Sequence, residues 1–166
     1  MPGSPKPAPA AKLTLSSSAF ASGATIPSQY TCTGADVSPP LLWDAPPVGT
    51  RSFALIADDP DAPAGIWVHW VLFDLPGDAR ALEAGIAKQA ELASGARQGR
   101  NDFGKIGYGG PCPPPGKPHR YFFKLYALDA KLALKAGATK AALEKAMQGH
   151  ILAQGELMGR FGRSTR

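Results

Sequence analysis

The stretch "IWVHWVLFDLP", residues 66–76, decides the fold. Aromatic and β-branched residues fill it and a proline closes it, so it predicts a strand. Period-two alternation puts Trp67, His69, Val71 and Phe73 on one face, and Val68, Trp70 and Leu72 on the other. Upstream, "RSFALIADD" (51–59) is a short apolar run bounded by turn residues, the pattern of a strand buried on both faces. Downstream, "HRYFFKLYALD" (119–129) predicts a third strand. There His119, Tyr121, Phe123 and Leu125 share one face; Arg120, Phe122, Lys124 and Tyr126 share the other.

Around these three runs the signals are weaker. "KLTLSS" (12–17) alternates and reads as a first strand. "DARALEAGIAK" (78–88) predicts a short helix. "TKAALEKAMQGHIL" (139–152) predicts a better one, with Thr139 as N-cap and Leu143, Met147, His150 and Ile151 along one face. Residues 20–50 and 89–118 read as loops. The 19 glycines and 17 prolines among 166 residues fit a β-rich domain with many turns. The expected architecture is mainly β: a sheet core, long ordered loops and one or two peripheral helices. Residues 1–11 read as a flexible Pro/Ala tail, and 12–166 as a single domain.

The net charge of +5 is a mild bias toward anionic partners. Without a Lys/Arg run or a binding module, nucleic acid is not an expected partner. No apolar stretch reaches the roughly 18 residues that cross a bilayer, and no basic amphipathic helix suggests stable membrane insertion. The N-terminus lacks the apolar run of a secretory leader, so the expected compartment is the cytoplasm, or the periplasm if a leader has been removed. In the cytoplasm, Cys32 and Cys112 default to reduced thiols. Their spacing alone specifies neither a disulfide nor a metal site; their Gly/Pro-rich loops keep a pairing open.

Chemistry can come from three places. In "DDPDAP" (58–63), Asp59 and Asp61 flank a proline at a strand end. The bland reading is an Asp-Pro turn bonding its own backbone. His69 lies within an apolar strand, where a histidine is usually a satisfied core residue. His119 opens a strand, which also suits a solvated edge. Together they say more. Polar groups on apolar strands are costly unless they pair with one another or with a ligand. Two Asp, two His and several aromatics from three strands point to one convergent pocket. A divalent metal, general acid/base hydrolysis and anion binding all fit this set. The metal reading lacks paired histidines at helical spacing. The hydrolase reading lacks a Gly-x-Ser-x-Gly nucleophile elbow.

"DDPDAPAGIWVHW" followed by "YGGPCPPPGKPHRYFFKLYAL" resembles the two signature regions of the phosphatidylethanolamine-binding protein family, closest to its bacterial Raf kinase inhibitor-like branch. "IPSQYTCTGADVSPPLLW", "ARQGRNDFGKIGYGG" and "GHILAQGELMGRFGR" add to the resemblance, which covers residues 13–163. It implies a β-sandwich with Greek-key connections and a small anion pocket at one end of the sheet. The pocket would bind phosphate-type groups through Asp59, Trp67, His69, Gly110, Pro111, His119 and Tyr121, with Asp61 and Tyr108 in support. It implies a ligand-binding or regulatory protein rather than an enzyme, with kinase or protease inhibition among the family's activities. No catalytic residue, metal or cofactor is implied. The expected partner is a small anion such as a phosphorylated headgroup; a protein partner is unspecified and a homodimer is compatible.

In this reading His69 and His119 donate to the anion and Asp59 orients an imidazole. Asp61 braces the turn, and Trp67 and Tyr121 form walls. Lys105, Lys117 and Arg120 add positive potential. "GPCPPPGKPHRY" (110–121) becomes a stiff wall that sets Gly110 against His119. Two positions depart from the family pattern. Val68 stands where animal members carry the first of two adjacent histidines, and the loop is unusually proline-dense.

Overall fold

The computed structural model describes residues 11–164. In chain order its strands are β1 (Ala11–Lys12), β2 (Leu15–Ser16), β3 (Leu41–Trp43), β4 (Ser52–Asp59) and β5 (Trp67–Pro76). These are followed by β6 (Ala81–Leu82), β7 (Arg97–Gln98), β8 (His119–Leu128) and β9 (Ile151–Phe161). Helix α1 (Lys140–Met147) lies between β8 and β9, and a single 3₁₀ turn spans Ser28–Tyr30. Six strands form one sheet in the order β1-β9-β8-β4-β5-β7; β2-β3-β6 form a second. Every pairing is antiparallel except β1 with β9.

The three strongest strand readings sit side by side, with β4 between β5 and β8. All eight residues of β4 are buried, because its two faces serve two cores. Phe53, Leu55 and Ala57 join Trp70, Leu72, Tyr121, Phe123 and Leu125 beneath the small sheet. Ala54 and Ile56 join Val68, Val71, Phe73, Leu143 and Met147 beneath α1. On that second face Asp58 is buried and accepts from Lys140 Nζ at 2.9 Å and Lys124 Nζ at 3.4 Å. Two ammonium groups thereby compensate a carboxylate that would be expensive alone.

Strict alternation fails in β5. Asp58 pairs with Val68 and Ala57 with Trp70, so His69 is an extra residue on its strand. This β-bulge shifts the alternation. Val68, Val71 and Phe73 all face α1, whereas His69 and Trp70 both look toward the small-sheet side. The expected grouping of His69 with Val71 and Phe73 is therefore corrected.

Other expectations change as well. The single strand 12–17 divides: Ala11–Lys12 pairs with β9 and Leu15–Ser16 with β3, because the chain crosses between the sheets. Ala11 is thus paired, and residues 1–10 of the expected tail lie outside the described residues. Residues 78–88 form no helix. Ala81–Leu82 instead add to β3, and Gly85, at φ 74°, bonds back to Ser38 O. Thr139 does cap α1, accepting from Ala142 N at 3.2 Å. The helix ends at Met147, and Gly149, at φ 82°, turns the chain, so His150 lies in the turn and Ile151 opens β9. The glycines of β9 hide its strand pattern. A side chain at Gly159 would run into Ile26 and Phe20, and one at Gly155 into the Leu13 backbone.

Cys32 and Cys112 form a disulfide, in place of the two reduced thiols expected by default. Cys32 N also donates to Pro111 O at 3.0 Å, so a backbone hydrogen bond reinforces the disulfide between the 28–36 loop and the proline-rich loop.

Candidate anion-binding site

A pocket of about 200 Å³ opens where β4, β5 and β8 meet the loops. Asp59, Trp67, His69, His119 and Tyr121 line it together with Ala62, Pro63, Phe103, Cys112, Pro113 and Pro114. Five of the seven principal residues expected from the sequence are thus brought to one place.

Each polar group is fixed by a neighbour. The Asp59 carboxylate ends β4 and is buried. Its Oδ1 accepts from Asp61 N at 2.7 Å, closing the Asp-Pro turn, and its Oδ2 accepts from His119 Nδ1 at 2.7 Å. Asp61 Oδ2 accepts from Arg120 N and Nε, and its Oδ1 from Arg120 Nη2, each at 2.9 Å. Hydrogen bonds from the Arg120 guanidinium chiefly hold the Asp61 pKa down at about 2. Asp61 therefore anchors the turn to β8 and lies outside the pocket lining. Arg120 spends its charge on it.

The His69 ring is edge-on to Phe103 (centroids 5.4 Å apart) and to Tyr121 (5.2 Å). Its Nδ1 lies 2.6 Å from Gly109 O. A carbonyl only accepts, so Nδ1 carries a proton and, in the neutral ring, Nε2 is an acceptor. Burial lowers the His69 pKa below its usual value and favours that neutral ring, partly offset by the Gly109 carbonyl and by Asp59. The backbone answers in kind: Gly109 N donates to His69 O at 2.9 Å.

Tyr121 is buried, and among the described residues its hydroxyl has no hydrogen-bond partner. Burial raises its pKa, so the hydroxyl keeps its proton. The sequence reading gave Tyr121 the role of an apolar wall; the structure adds a donor in search of an acceptor. Trp67 and Phe103 meet edge-to-face at 5.5 Å and close one side.

Gly110, Pro111 and Tyr108 do not line this pocket. Gly110 N donates to Asp36 Oδ1 at 2.7 Å, and a side chain at 110 would strike Asp36 and the Tyr30 backbone. Pro111 supplies the carbonyl that Cys32 uses. Tyr108 is buried, donates to Tyr30 O at 2.7 Å and borders a neighbouring cavity instead of the rim. The carbonyl that holds a histidine ring is that of Gly109, and the ring is His69 rather than His119. The proline-rich loop contributes its wall two residues further on, through Cys112, Pro113 and Pro114. Phe103, Pro113 and Pro114 were not singled out from the sequence. Phe103 falls in a segment without periodicity, where an Asn-Asp-Phe-Gly turn is the local signal that could have marked it. Lys105 borders the neighbouring cavity and Lys117 an outer concavity. Among the described residues, no group of three or more His, Cys, Asp or Glu is gathered as for a metal ion. No helix among them is long and apolar enough to cross a membrane.

Fold and pocket define a β-sandwich protein with a small pocket at one sheet end, walled by aromatic rings and prolines and carrying Asp59, His69 and His119. Comparison with known proteins gives that class a family. The sequence profile of the phosphatidylethanolamine-binding protein family matches residues 16–162, and the chain belongs to that family. A UPF0098 protein of Methanothermobacter thermautotrophicus is 49% identical over 151 residues, covering 91% of this chain and 99% of the relative. One from Aquifex aeolicus is 50% identical over 149 residues, covering 89% and 86%. Among solved structures, a phosphatidylethanolamine-binding protein homologue from Chlamydia trachomatis superposes with a TM-score of 0.84 at 41% identity, covering 92% of this chain and 99% of that one. YbcL of E. coli superposes with a TM-score of 0.85 at 33% identity, covering 93% and 100%. Family membership supports a ligand-binding or regulatory protein.

Proposed function

We propose that the protein binds phosphate-type anions, in the form that retains one proton. The observation that carries this reading is the fixed donor and acceptor set around the pocket. His119 gives Nδ1–H to Asp59, and in the doubly protonated ring its Nε2–H donates to an anionic oxygen. The Tyr121 hydroxyl is a second donor. Neutral His69 offers a lone pair at Nε2, which suits a P–OH rather than a bare oxygen. Two donors and one acceptor fit a phosphoryl monoanion; a sulfate dianion has no proton for His69.

Binding is the reading we favour over turnover because, among the described residues, no serine or threonine hydroxyl lines the pocket and its one carboxylate, Asp59, is engaged by Asp61 N and His119. The one cysteine of the pocket, Cys112, is spent in a disulfide.

The test is an NMR titration of wild type and His119→Ala with phosphate and with sulfate. The expected result is phosphate binding that is preferred over sulfate and weakened at least tenfold by the substitution, a typical loss for a charged hydrogen bond. Equal phosphate affinity in the two proteins refutes the role of His119. Equal affinity of the wild type for both anions refutes the role of His69 as acceptor.

A further inference from the structure

A second cavity, of about 530 Å³, lies beside the anion pocket. Cys32, Asp36, Lys88, Asn101, Phe103, Lys105, Ile106, Tyr108, Gly109, Gly110 and Cys112 line it, and two of these residues, Phe103 and Cys112, also line the anion pocket. The partition between the two spaces is therefore one aromatic ring and one disulfide.

The two halves of that partition differ in freedom. Cys112 is tied to Cys32. Phe103 stands on a rigid turn: Asn101 Oδ1 accepts from Phe103 N at 3.0 Å and from Lys105 N at 3.1 Å, and Asp102 Oδ2 accepts from Val68 N at 2.7 Å. Its side chain is nevertheless 40% exposed, unusual for so large an apolar group held between two cavities. Behind it, a Cβ at Gly109 would collide with Cδ2 and Cε2 of the ring, so the glycine leaves room for the ring edge. A fixed backbone with a half-free ring is a divider against which a planar group can stack.

We propose that the physiological ligand is an aromatic phosphomonoester, its phosphoryl group in the small pocket and its ring in the second cavity against Phe103 and Ile106. This rests on the anion-binding reading and adds the class of ligand. Placement supports it: the small pocket shares Phe103 and Cys112 with the larger cavity, so a substituent on a bound phosphoryl group has that space immediately beyond the partition. Chemistry supports it as well. Apolar surface from Phe103, Ile106 and the disulfide rewards burial of a ring. Asp36 is already engaged by Gly110 N, and it lies 4.0 Å from Lys88 Nζ. Lys105 has no ion pair among the described residues, so the net potential of the second cavity favours an anion next door.

The experiment compares methyl phosphate with phenyl phosphate by calorimetry, in wild type and in Ile106→Trp, whose larger side chain fills the second cavity only. Phenyl phosphate is expected to bind the wild type on the order of tenfold more tightly than methyl phosphate, from burial of the ring. In Ile106→Trp that advantage disappears while methyl phosphate binds as before. NMR supplies a readout without any variant: phenyl phosphate, and not methyl phosphate, shifts the amides of Lys105 and Ile106. Equal affinity of the two esters in wild type overturns the inference while leaving the anion site intact. So does an advantage that persists in the filled variant, or an unshifted Ile106 amide. If neither ester nor phosphate binds, the anion reading itself has failed.

Discussion

Replacing Tyr121 by phenylalanine should move stability and affinity in opposite directions. The hydroxyl is buried and has no partner among the described residues of the free protein, whereas the ring packs against His69 and stacks near His119 at 6.4 Å. Phenylalanine keeps the ring and its packing. It removes a polar atom whose unmet hydrogen bond costs about 1–3 kcal/mol, of which a visiting water recovers part. The free variant should therefore be as stable as wild type or more stable by up to about 1 kcal/mol, a rise of roughly 2–4 °C in Tm for a domain of this size. In the complex the same hydroxyl is assigned a hydrogen bond to a charged oxygen, worth about 1.5–3 kcal/mol. Its loss should weaken phosphate binding by roughly 10- to 150-fold. Thermal denaturation without ligand and calorimetric titration with phosphate measure the two effects separately. A ligand-free variant destabilised by more than about 1 kcal/mol would mean that the hydroxyl has a partner in the resting fold. Unchanged phosphate affinity would mean that Tyr121 does not donate to the anion. Either result breaks the argument that this residue is held ready for a ligand.

Two further perturbations address the frame of the pocket. Asp61 has a folded pKa of about 2 against an ordinary 3.8, so its bond to Arg120 stabilises the fold above pH 4, and this stability is lost as pH falls from about 4 through 2. After allowance for solvent screening of this partly exposed pair, the contribution is on the order of 1 kcal/mol; the wild-type and Asp61→Asn denaturation curves should converge in that window, and a constant gap from pH 7 to 2 would remove Asp61 from the account. The Cys32–Cys112 bond spans 80 residues, for which chain entropy sets a loss of about 4.5 kcal/mol on reduction. Urea midpoints with and without reductant test it, and coincident midpoints would show that the bond does not form or does not matter.

The Asp-Pro turn and the long strands were legible because their signals are local. An apolar run bounded by turn residues needs no partner to be read, and β4, β5 and β8 carry that signature throughout. What the sequence could not show was set by long-range geometry. His69 looks to the same side of the sheet as Trp70 only because β5 carries one residue more than β4 at that point, and a bulge is a property of two strands together. β9 was obscured by Gly155 and Gly159, whose smallness answers to Leu13, Ile26 and Phe20, residues more than a hundred positions away. Gly110 illustrates the same limit. The resemblance placed it in the pocket, but its lack of a side chain is required by Tyr30 and Asp36, and the carbonyl that orients His69 belongs to its neighbour. The wall expected of the 110–118 loop lies two residues beyond Gly110 and Pro111. Prolines 113 and 114 form the wall, while Gly110 and Pro111 secure the loop to the 28–36 segment. A sequence motif thus marks a region where backbone and ligand constraints coincide, and only the register of the fold separates the residues that hold the loop from those that would touch the anion.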